Sequence, residues 1–173
     1  MYFVTICTKD KEHCFGKIIN QVETNSNLSL NQNSEILNGE KNIIDTHNSA
    51  YLRMAEIGKI AHEFWLDIPN HYPFVILDEF VVMPNHIHGI IIINKENYNK
   101  WNPNQFGKQS GNLGAIIRSF KASVKRYANQ NDIEFHWQPR YHDHIIRDKD
   151  SYLRIKKYII SNPQNWHKDT FNK

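Results

Sequence analysis

The sequence predicts one mixed α+β domain in which helices pack on an antiparallel sheet. Two observations favour this class. Segments with strand and helix patterns follow one another in the order strand, helix, strand, strand, helix, strand, helix. The chain has 173 residues, of which 40% are apolar and 23% charged, and this suits a single domain with its own core over residues 1–173.

The first elements are a strand, an insertion and a helix. Tyr2–Thr8 is β-branched and aromatic, which is typical of a strand. Residues 20–49 are rich in Asn, Ser and Glu and have neither a helical nor a strand period, so we expect a surface insertion there. From 55 to 66 apolar residues recur at helical spacing, and Pro69 fits the end of that helix.

A pair of strands follows the helix. Phe74–Met83 and Ile87–Ile93 are both strongly apolar, and Pro84 and Asn85 lie between them. This dipeptide favours a turn and excludes a helix at that point. The two strands are therefore expected to pair as antiparallel neighbours.

The last third supplies a helix, a strand and a final helix. Residues 113–129 carry one apolar stripe at helical spacing, His142–Arg147 is typical of a short strand, and Lys149–Ser161 is typical of a helix that ends before Pro163. This order predicts a ferredoxin-like, split βαβ sandwich with an antiparallel sheet. The final helix, which carries Tyr158, is additional to that arrangement.

Charge is unevenly distributed along the chain. The formal net charge is +3, but residues 1–112 sum to −3 and residues 113–173 to +6. The last third is therefore where an anion would be attracted. Two cysteines give no disulfide framework. No apolar run approaches the roughly 20 residues of a membrane span, and no leader precedes the first strand, so a soluble intracellular protein without a membrane partner is expected.

Two histidines interrupt the apolar run VVMPNHIHGIIII. Residues i and i+2 of a strand share a face, so His86 and His88 point the same way as Ile90 and Ile92. They lie near the start of the strand, where we expect an ion or ligand to reach them. Two imidazoles on one face form half of a metal site, although a lone His-x-His pair is more often structural.

The final helix offers two further groups. Tyr158 and Asn162 are four residues apart and so share one helical face. An amide oxygen can bind Mg²⁺ or Mn²⁺, and a tyrosine can attack phosphorus and form a covalent intermediate. In the alternative interpretation Tyr158 packs under the sheet and Asn162 caps the helix before Pro163.

Several blocks together resemble a known family. The chain resembles the single-tyrosine transposases of the HUH class, and more narrowly the REP-associated tyrosine transposases, bacterial relatives of insertion-sequence transposases. The similarity covers nearly the whole chain outside the Asn-rich segment. The blocks that carry it, in order, are FVTICT, LDEFVVMPNHIHGIIII, SFKASVKR, WQPRYHDHIIRD and YIISNPQNW.

The resemblance implies specific roles for four residues. The family's metal-binding histidines fall on His86 and His88, its nucleophile on Tyr158 and its third metal ligand on Asn162. It implies that a divalent ion, Mg²⁺ or Mn²⁺, assists attack of the tyrosine on single-stranded or hairpin DNA, which leaves a 5′-phosphotyrosine. It also implies a bacterial, cytoplasmic, nucleoid-associated protein. A monomer and a homodimer are both open.

DNA contacts are expected from basic residues of the last third. Arg118, Lys121 and Lys125 form one ridge at helical spacing, with Arg126 beside it and Arg147 after the following strand. An ordinary solvated helix face is the alternative for each of them. In a second His-x-His, His142 and His144 share a face, and support of the active-site face or a phosphate contact is expected for His144 rather than a second metal site.

Two other functional classes stay open. In a metal-dependent hydrolase, His86, His88 and a carboxylate such as Asp78 or Asp143 would hold Zn²⁺ and water would attack, so that turnover occurs without a covalent adduct. In a non-catalytic nucleic-acid-binding domain, the basic ridge would suffice and binding would not respond to a chelator.

Overall fold

A computed structural model describes residues 1–20, 50–95 and 111–172. The predicted insertion at 20–49 lies, from residue 21 onward, outside the described residues. Within the described part, the mixed α+β class and the antiparallel sheet are confirmed. No described helix combines the length and the apolar character that crossing a membrane would require.

The main sheet contains four antiparallel strands. They are β1 Tyr2–Cys7, β4 Val75–Met83, β5 His86–Ile93 and β6 His142–Ile145. Their order across the sheet is β4-β5-β1-β6, so the first strand lies between two strands from the second half of the chain. Most side chains of the central pair are buried on both faces, as expected for strands that are covered on both sides.

A second, two-stranded sheet was not predicted. It pairs β2, Gly16–Asn20, with β3, Ala50–Met54, on either side of the Asn-rich segment. The strands have only five residues each, and β3 alternates between buried and exposed positions beside a polar stretch. Such short segments carry too little periodicity to be recognised, and their pairing joins parts of the chain that are distant in sequence.

Three helices cover one face of the main sheet. They are α1 Glu56–Leu66, the short α2 Ile68–His71 and α3 Leu113–Gln130. The predicted bounds of the two long helices agree to within a residue. Their apolar stripes bury Trp65, Ile116 and Phe120 against the sheet, where Val4, Ile87 and Ile91 belong to the same core.

The final helix, α4 Lys149–Ser161, packs on the opposite face of the sheet, as does a smaller apolar cluster. Ile159 meets Ile90 and Ile146 there, and all three are buried. Asp148 caps the helix by accepting a 2.7 Å hydrogen bond from the Ser151 amide, which satisfies one of the free N–H groups of its first turn. The packing of Ile159 with Ile90 places α4 over β5, the strand that carries the histidines.

Gly89 allows α1 to lie close to the sheet. A Cβ atom at this position of β5 would overlap the indole ring of Trp65, which is fully buried. We therefore expect Gly89→Ala to lower the free energy of unfolding by about 1–3 kcal/mol, the usual cost of overpacking a core. Urea denaturation followed by circular dichroism measures this change.

Gly114 is the matched control for this substitution. In α3 its added Cβ would meet only ordinary contacts, the nearest being Asn112 Oδ1 at 3.5 Å. Gly114→Ala should leave the stability unchanged or slightly raised, because alanine is the better helix former. Equal urea midpoints for Gly89→Ala and the wild type would contradict the proposed fit between Gly89 and Trp65.

Candidate metal and tyrosine site

The two histidines of β5 lie on the face of the sheet that α4 covers, as the strand period predicts. Their ring centroids are 4.4 Å apart. In the register of the sheet His86 is opposite Cys7 and His88 is opposite Thr5 of β1. The central position of β5 and its pairing on both sides hold the two imidazoles in a fixed mutual geometry.

The prediction that His86 and His88 are accessible to an ion or ligand is wrong. His86 and His88 are 0% and 2% exposed, whereas the sequence suggested an open end of the strand. Residues 163–172, which we name the C-terminal segment, begin with a 3-10 helix over Pro163–Lys168 and return over the rings. The rings of Phe171 and Trp166 lie 4.6 Å and 6.0 Å from that of His86.

The C-terminal segment is fastened by contacts with the loop after β1 and the turn before β5. Asn85 Nδ2 donates to the Phe171 carbonyl at 2.8 Å. Lys11 Nζ donates to the Thr170 carbonyl at 3.2 Å and lies 4.9 Å from the centre of the Phe171 ring. These contacts join residues far apart in sequence, so no local pattern could have predicted the cover.

Burial keeps both rings neutral. Desolvation, aided by the neighbouring His88, lowers the pKa of His86 to about 2, and desolvation lowers the pKa of His88 to about 3. A neutral imidazole offers one nitrogen lone pair, which is the form that binds metals. The pair is thus in its ligand form throughout the physiological pH range.

The ring nitrogens have distinct partners. His86 Nδ1 lies 2.8 Å from Asn85 Oδ1, and His88 Nδ1 lies 2.9 Å from Thr5 Oγ1. His88 Nε2 lies 3.2 Å from the hydroxyl of Tyr158. The buried Nε2 of His86 has no hydrogen-bond partner, which is costly unless another ligand occupies it.

Tyr158 and Asn162 do share one face of α4, and that face meets the histidines. Tyr158 is 43% exposed although its hydroxyl reaches His88. Burial and the carboxylate of Asp169 raise its pKa above the ordinary value, while a hydrogen bond from Asn162 opposes that shift. Asn162 is 2% exposed, and its Oδ1 is a second buried acceptor without a partner.

Asp169 joins the site from the C-terminal segment. One ligand atom each from His86, His88 and Asp169 lie within 4.8 Å of one another, so this cluster could hold a metal ion. Two imidazole nitrogens and a carboxylate oxygen are donors that suit a divalent ion such as Mn²⁺. Sequence analysis missed Asp169, because a single Asp in an irregular segment carries no recognisable spacing.

The alternative carboxylates are not part of this cluster. Asp143 lies on exposed β6, where the strand period directs it away from the face of His142 and His144. Asp78 instead accepts hydrogen bonds from Tyr152 and Lys156 of α4. Of the carboxylates in the described ranges, Asp169 is therefore the one placed to complete a His-His-carboxylate set.

Two of the predicted basic residues are engaged inside the protein. Lys121 Nζ donates to the carbonyls of Gln138 and Arg140 at 2.6 and 2.9 Å, and Lys125 Nζ donates to that of Phe135 at 2.7 Å. These bonds fix the loop between α3 and β6 to the helix. Burial lowers the pKa of Lys121. Arg118, Arg126 and Arg147 are exposed.

The second histidine pair lies on an edge strand. His142 and His144 are exposed, and they pair with Thr5 and Phe3, which in turn face His88 and Ile90 on the other side of β1. The pair therefore lies on the same sheet face as the buried histidines, two strands away, or about 10 Å.

Asp78 fastens α4 to β4, the edge strand next to β5. It lies at an irregularity of β4, where the pairing with β5 shifts register between Leu77 and Phe80. Its carboxylate accepts hydrogen bonds from the Tyr152 hydroxyl at 2.6 Å and from Lys156 Nζ at 2.8 Å. Tyr152 and Lys156 lie on one flank of α4, and Tyr158 lies on the other.

We expect Asp78→Ala to loosen α4 selectively. The substitution removes both hydrogen-bond acceptors, so amide hydrogen exchange in α4 should accelerate by about tenfold or more while α3 is unchanged. Asp67→Ala is the matched control, since Asp67 bonds Asn70 and His71 on α2 instead. Equal protection of α4 in both variants would show that this contact does not hold the helix.

Comparisons with known proteins found a similar sequence and a similar fold. No protein-family profile matches it. An uncharacterized protein of Haemophilus influenzae is 37% identical over 177 residues, covering 97% of this chain and 82% of that protein. A solved REP-associated tyrosine transposase bound to a REP hairpin matches with a TM-score of 0.53 and 15% identity, covering 95% of this chain and 67% of that one. At that identity the match shows a shared fold.

Proposed function

The chain belongs to the same family as the Haemophilus influenzae protein, and from the geometry of its buried histidines and Tyr158 we propose that it is a single-tyrosine transposase of the HUH class. It would cleave and rejoin single-stranded DNA carrying REP-like hairpins. The observation that carries the proposal is the 3.2 Å approach of the Tyr158 hydroxyl to His88 Nε2, beside a neutral His86 whose Nε2 has no partner. The strand order β4-β5-β1-β6 supports the ferredoxin-like arrangement that this class implies.

His86, His88 and Asn162 would hold a divalent ion, and Asp169 is placed to join them. When bound, Mg²⁺ or Mn²⁺ supplies Lewis-acid polarisation of a phosphate oxygen. The fit rests on the two buried acceptors without partners, His86 Nε2 and Asn162 Oδ1, which protein groups leave free. Buried acceptors of this kind call for a ligand.

Tyr158 would be the nucleophile. Its phenolic oxygen forms a bond to phosphorus as the bond from phosphorus to the 3′-oxygen breaks, which leaves a 5′-phosphotyrosine and a free 3′-hydroxyl. The phosphodiester energy is kept in the new bond, so rejoining needs no nucleotide cofactor. Tyr158 is protonated in the arrangement described, since burial and Asp169 raise its pKa, and the Asn162 hydrogen bond favours the phenolate that must form.

The DNA backbone would be held by basic groups of the last third. Arg118, Arg126 and Arg147 are exposed and can bind phosphates in a bidentate manner. Lys121 and Lys125 would contribute positive potential and not direct phosphate contacts, because their ammonium groups already bond backbone carbonyls. His144 would support the same face, since the register of β6 places it there.

Labelled hairpin oligonucleotides test this proposal. The protein is incubated with single-stranded DNA carrying a hairpin, with Mn²⁺ or Mg²⁺, and resolved under denaturing conditions. We expect a 3′-end label to move into a protein adduct and a 5′-end label to appear in a shorter free strand with a 3′-hydroxyl. A chelator should prevent both.

The alternative classes give different results in the same assay. Metal-dependent cleavage without an adduct would indicate a hydrolase that uses the His86, His88 and Asp169 cluster. Salt-sensitive binding without cleavage, unchanged by chelator, would indicate a nucleic-acid-binding domain. Either result would overturn the transposase proposal.

A further inference from the structure

Asn85 occupies a rigid turn directly before the first histidine. Its side chain is fully buried between β4 and β5. The backbone carbonyl of Asn85 accepts hydrogen bonds from both the amide and the hydroxyl of Thr8, at 2.9 and 3.0 Å. The preceding carbonyl, of Pro84, accepts from the Phe15 amide at 2.9 Å. The position of Asn85 is therefore fixed by two other parts of the chain.

The orientation of the Asn85 amide follows from its partners. Its Nδ2 donates to the carbonyls of Lys11 and Phe171, at 3.0 and 2.8 Å. A carbonyl oxygen only accepts hydrogen bonds, so the amino group must face both of them. The amide oxygen, Oδ1, must then face the ring of His86.

The amide oxygen in turn determines the protonation of the ring. Asn85 Oδ1 lies 2.8 Å from His86 Nδ1 and can only accept, so Nδ1 must carry the proton. A neutral imidazole has one N–H, and its Nε2 therefore carries the lone pair. That nitrogen is the buried atom without a partner.

We propose that Asn85 is a positioning residue that holds His86 in the Nδ1–H tautomer and so directs the lone pair of Nε2 into the metal site. The inference rests on the proposed function only in that the site binds a divalent ion. Groups that fix the tautomer of a metal-binding histidine raise its affinity by orienting the ring and its lone pair.

The two side-chain partners of the second histidine do not impose this constraint. His88 Nδ1 meets Thr5 Oγ1, and a hydroxyl can either donate or accept. Its Nε2 meets the Tyr158 hydroxyl, which has the same freedom. Neither hydroxyl by itself selects a tautomer of His88, whereas the amide oxygen of Asn85 selects one for His86.

Nuclear magnetic resonance of the metal-free wild-type protein tests the assignment without any substitution. In a ¹⁵N-labelled sample, correlation of ring carbon-bound protons with both ring nitrogens distinguishes the two tautomers. We expect His86 to show a protonated Nδ1 and an unprotonated Nε2. A protonated Nε2 at His86 would overturn the inference.

Two substitutions at Asn85 then test its consequence for metal affinity. Asn85→Leu removes the acceptor and should weaken Mn²⁺ binding, measured by calorimetry, by about 10–100-fold and abolish the tautomer preference. Asn85→Asp keeps an acceptor against Nδ1 and should keep the tautomer. Like Asn85→Leu it loses the amino group that bonds the Lys11 and Phe171 carbonyls, so the expected result is tighter Mn²⁺ binding in Asn85→Asp than in Asn85→Leu. Unchanged affinity in Asn85→Leu, or equal loss in both variants, would contradict the role.

Asn131→Leu is the control for the same exchange elsewhere. Asn131 caps α3 by bonding the Tyr127 carbonyl, far from the histidines, and its replacement should leave Mn²⁺ affinity unchanged. All these measurements are made without DNA. Failure to form a DNA adduct would therefore overturn the proposed transposase activity alone, and a wrong tautomer would overturn the role of Asn85 alone.

Discussion

Tyr158→Phe is expected to abolish the denaturation-resistant DNA adduct while leaving hairpin affinity within about threefold of the wild type. The substitution removes only the oxygen that would attack phosphorus. The ring keeps its edge contact with Phe3, 6.3 Å between centroids, and its position on α4. Adduct formation is measured by gel shift under denaturing conditions, and affinity by fluorescence anisotropy.

Tyr152→Phe is the matched control on the same helix. It removes a hydroxyl that bonds Asp78 on the other flank of α4 and touches neither histidine. We expect this variant to form the adduct at a rate reduced by no more than about tenfold. An adduct in Tyr158→Phe at the wild-type level would show that the nucleophile is a different residue.

The second large effect is a loss of stability in acid. Metal-free protein should lose stability as the pH falls below about 6.5, the ordinary pKa of histidine. In that range the unfolded chain binds protons at His86 and His88 that the folded chain excludes, because their folded pKa values are about 2 and 3. Stability therefore falls as the pH decreases.

The expected size follows from the same linkage. Each histidine contributes about 1.4 kcal/mol per pH unit below 6.5, so the pair removes several kcal/mol by pH 4.5. This is a large part of the stability of an ordinary domain. Urea titrations in the presence of a chelator at pH 7, 6, 5 and 4.5 measure the loss.

Glutamine variants separate the two histidine pairs. The double variant His86→Gln, His88→Gln should show a much flatter dependence of stability on pH. The double variant His142→Gln, His144→Gln removes the exposed pair of β6 and should keep the acid loss of the wild type. If the acid loss persists without His86 and His88, other groups must be responsible for it.

Much of the fold could be predicted because its main elements are long and strongly patterned. The two long core helices and α4 carry clear apolar stripes, and β4 and β5 are apolar runs around an unmistakable turn at Pro84 and Asn85. The strands β2 and β3 could not be predicted, since each has five residues and their pairing partner lies across a polar segment.

The candidate site divides in the same way. The shared face of His86 and His88 follows from the strand period, and that of Tyr158 and Asn162 from the helix period. Asp169 and the burial of the histidines depend on contacts of the C-terminal segment with residues 11 and 85, which no local period encodes. The hydrogen bonds of Lys121 and Lys125 to the loop before β6 could not be predicted either. A helical pattern shows which face of the helix a residue occupies, but not which loop packs on that face.

The pairing of β2 with β3 makes residues 21–49 an exchangeable unit. Asn20 is paired with Ala50, so the two ends of that stretch are neighbours in the two-stranded sheet, with Cα atoms about 4.5–5.5 Å apart. A two-residue hairpin turn can span the same gap, and the entropy of closing a loop grows only slowly with its length. This chain should therefore accept a longer or shorter stretch at this position without a change in the sheet that carries the histidines.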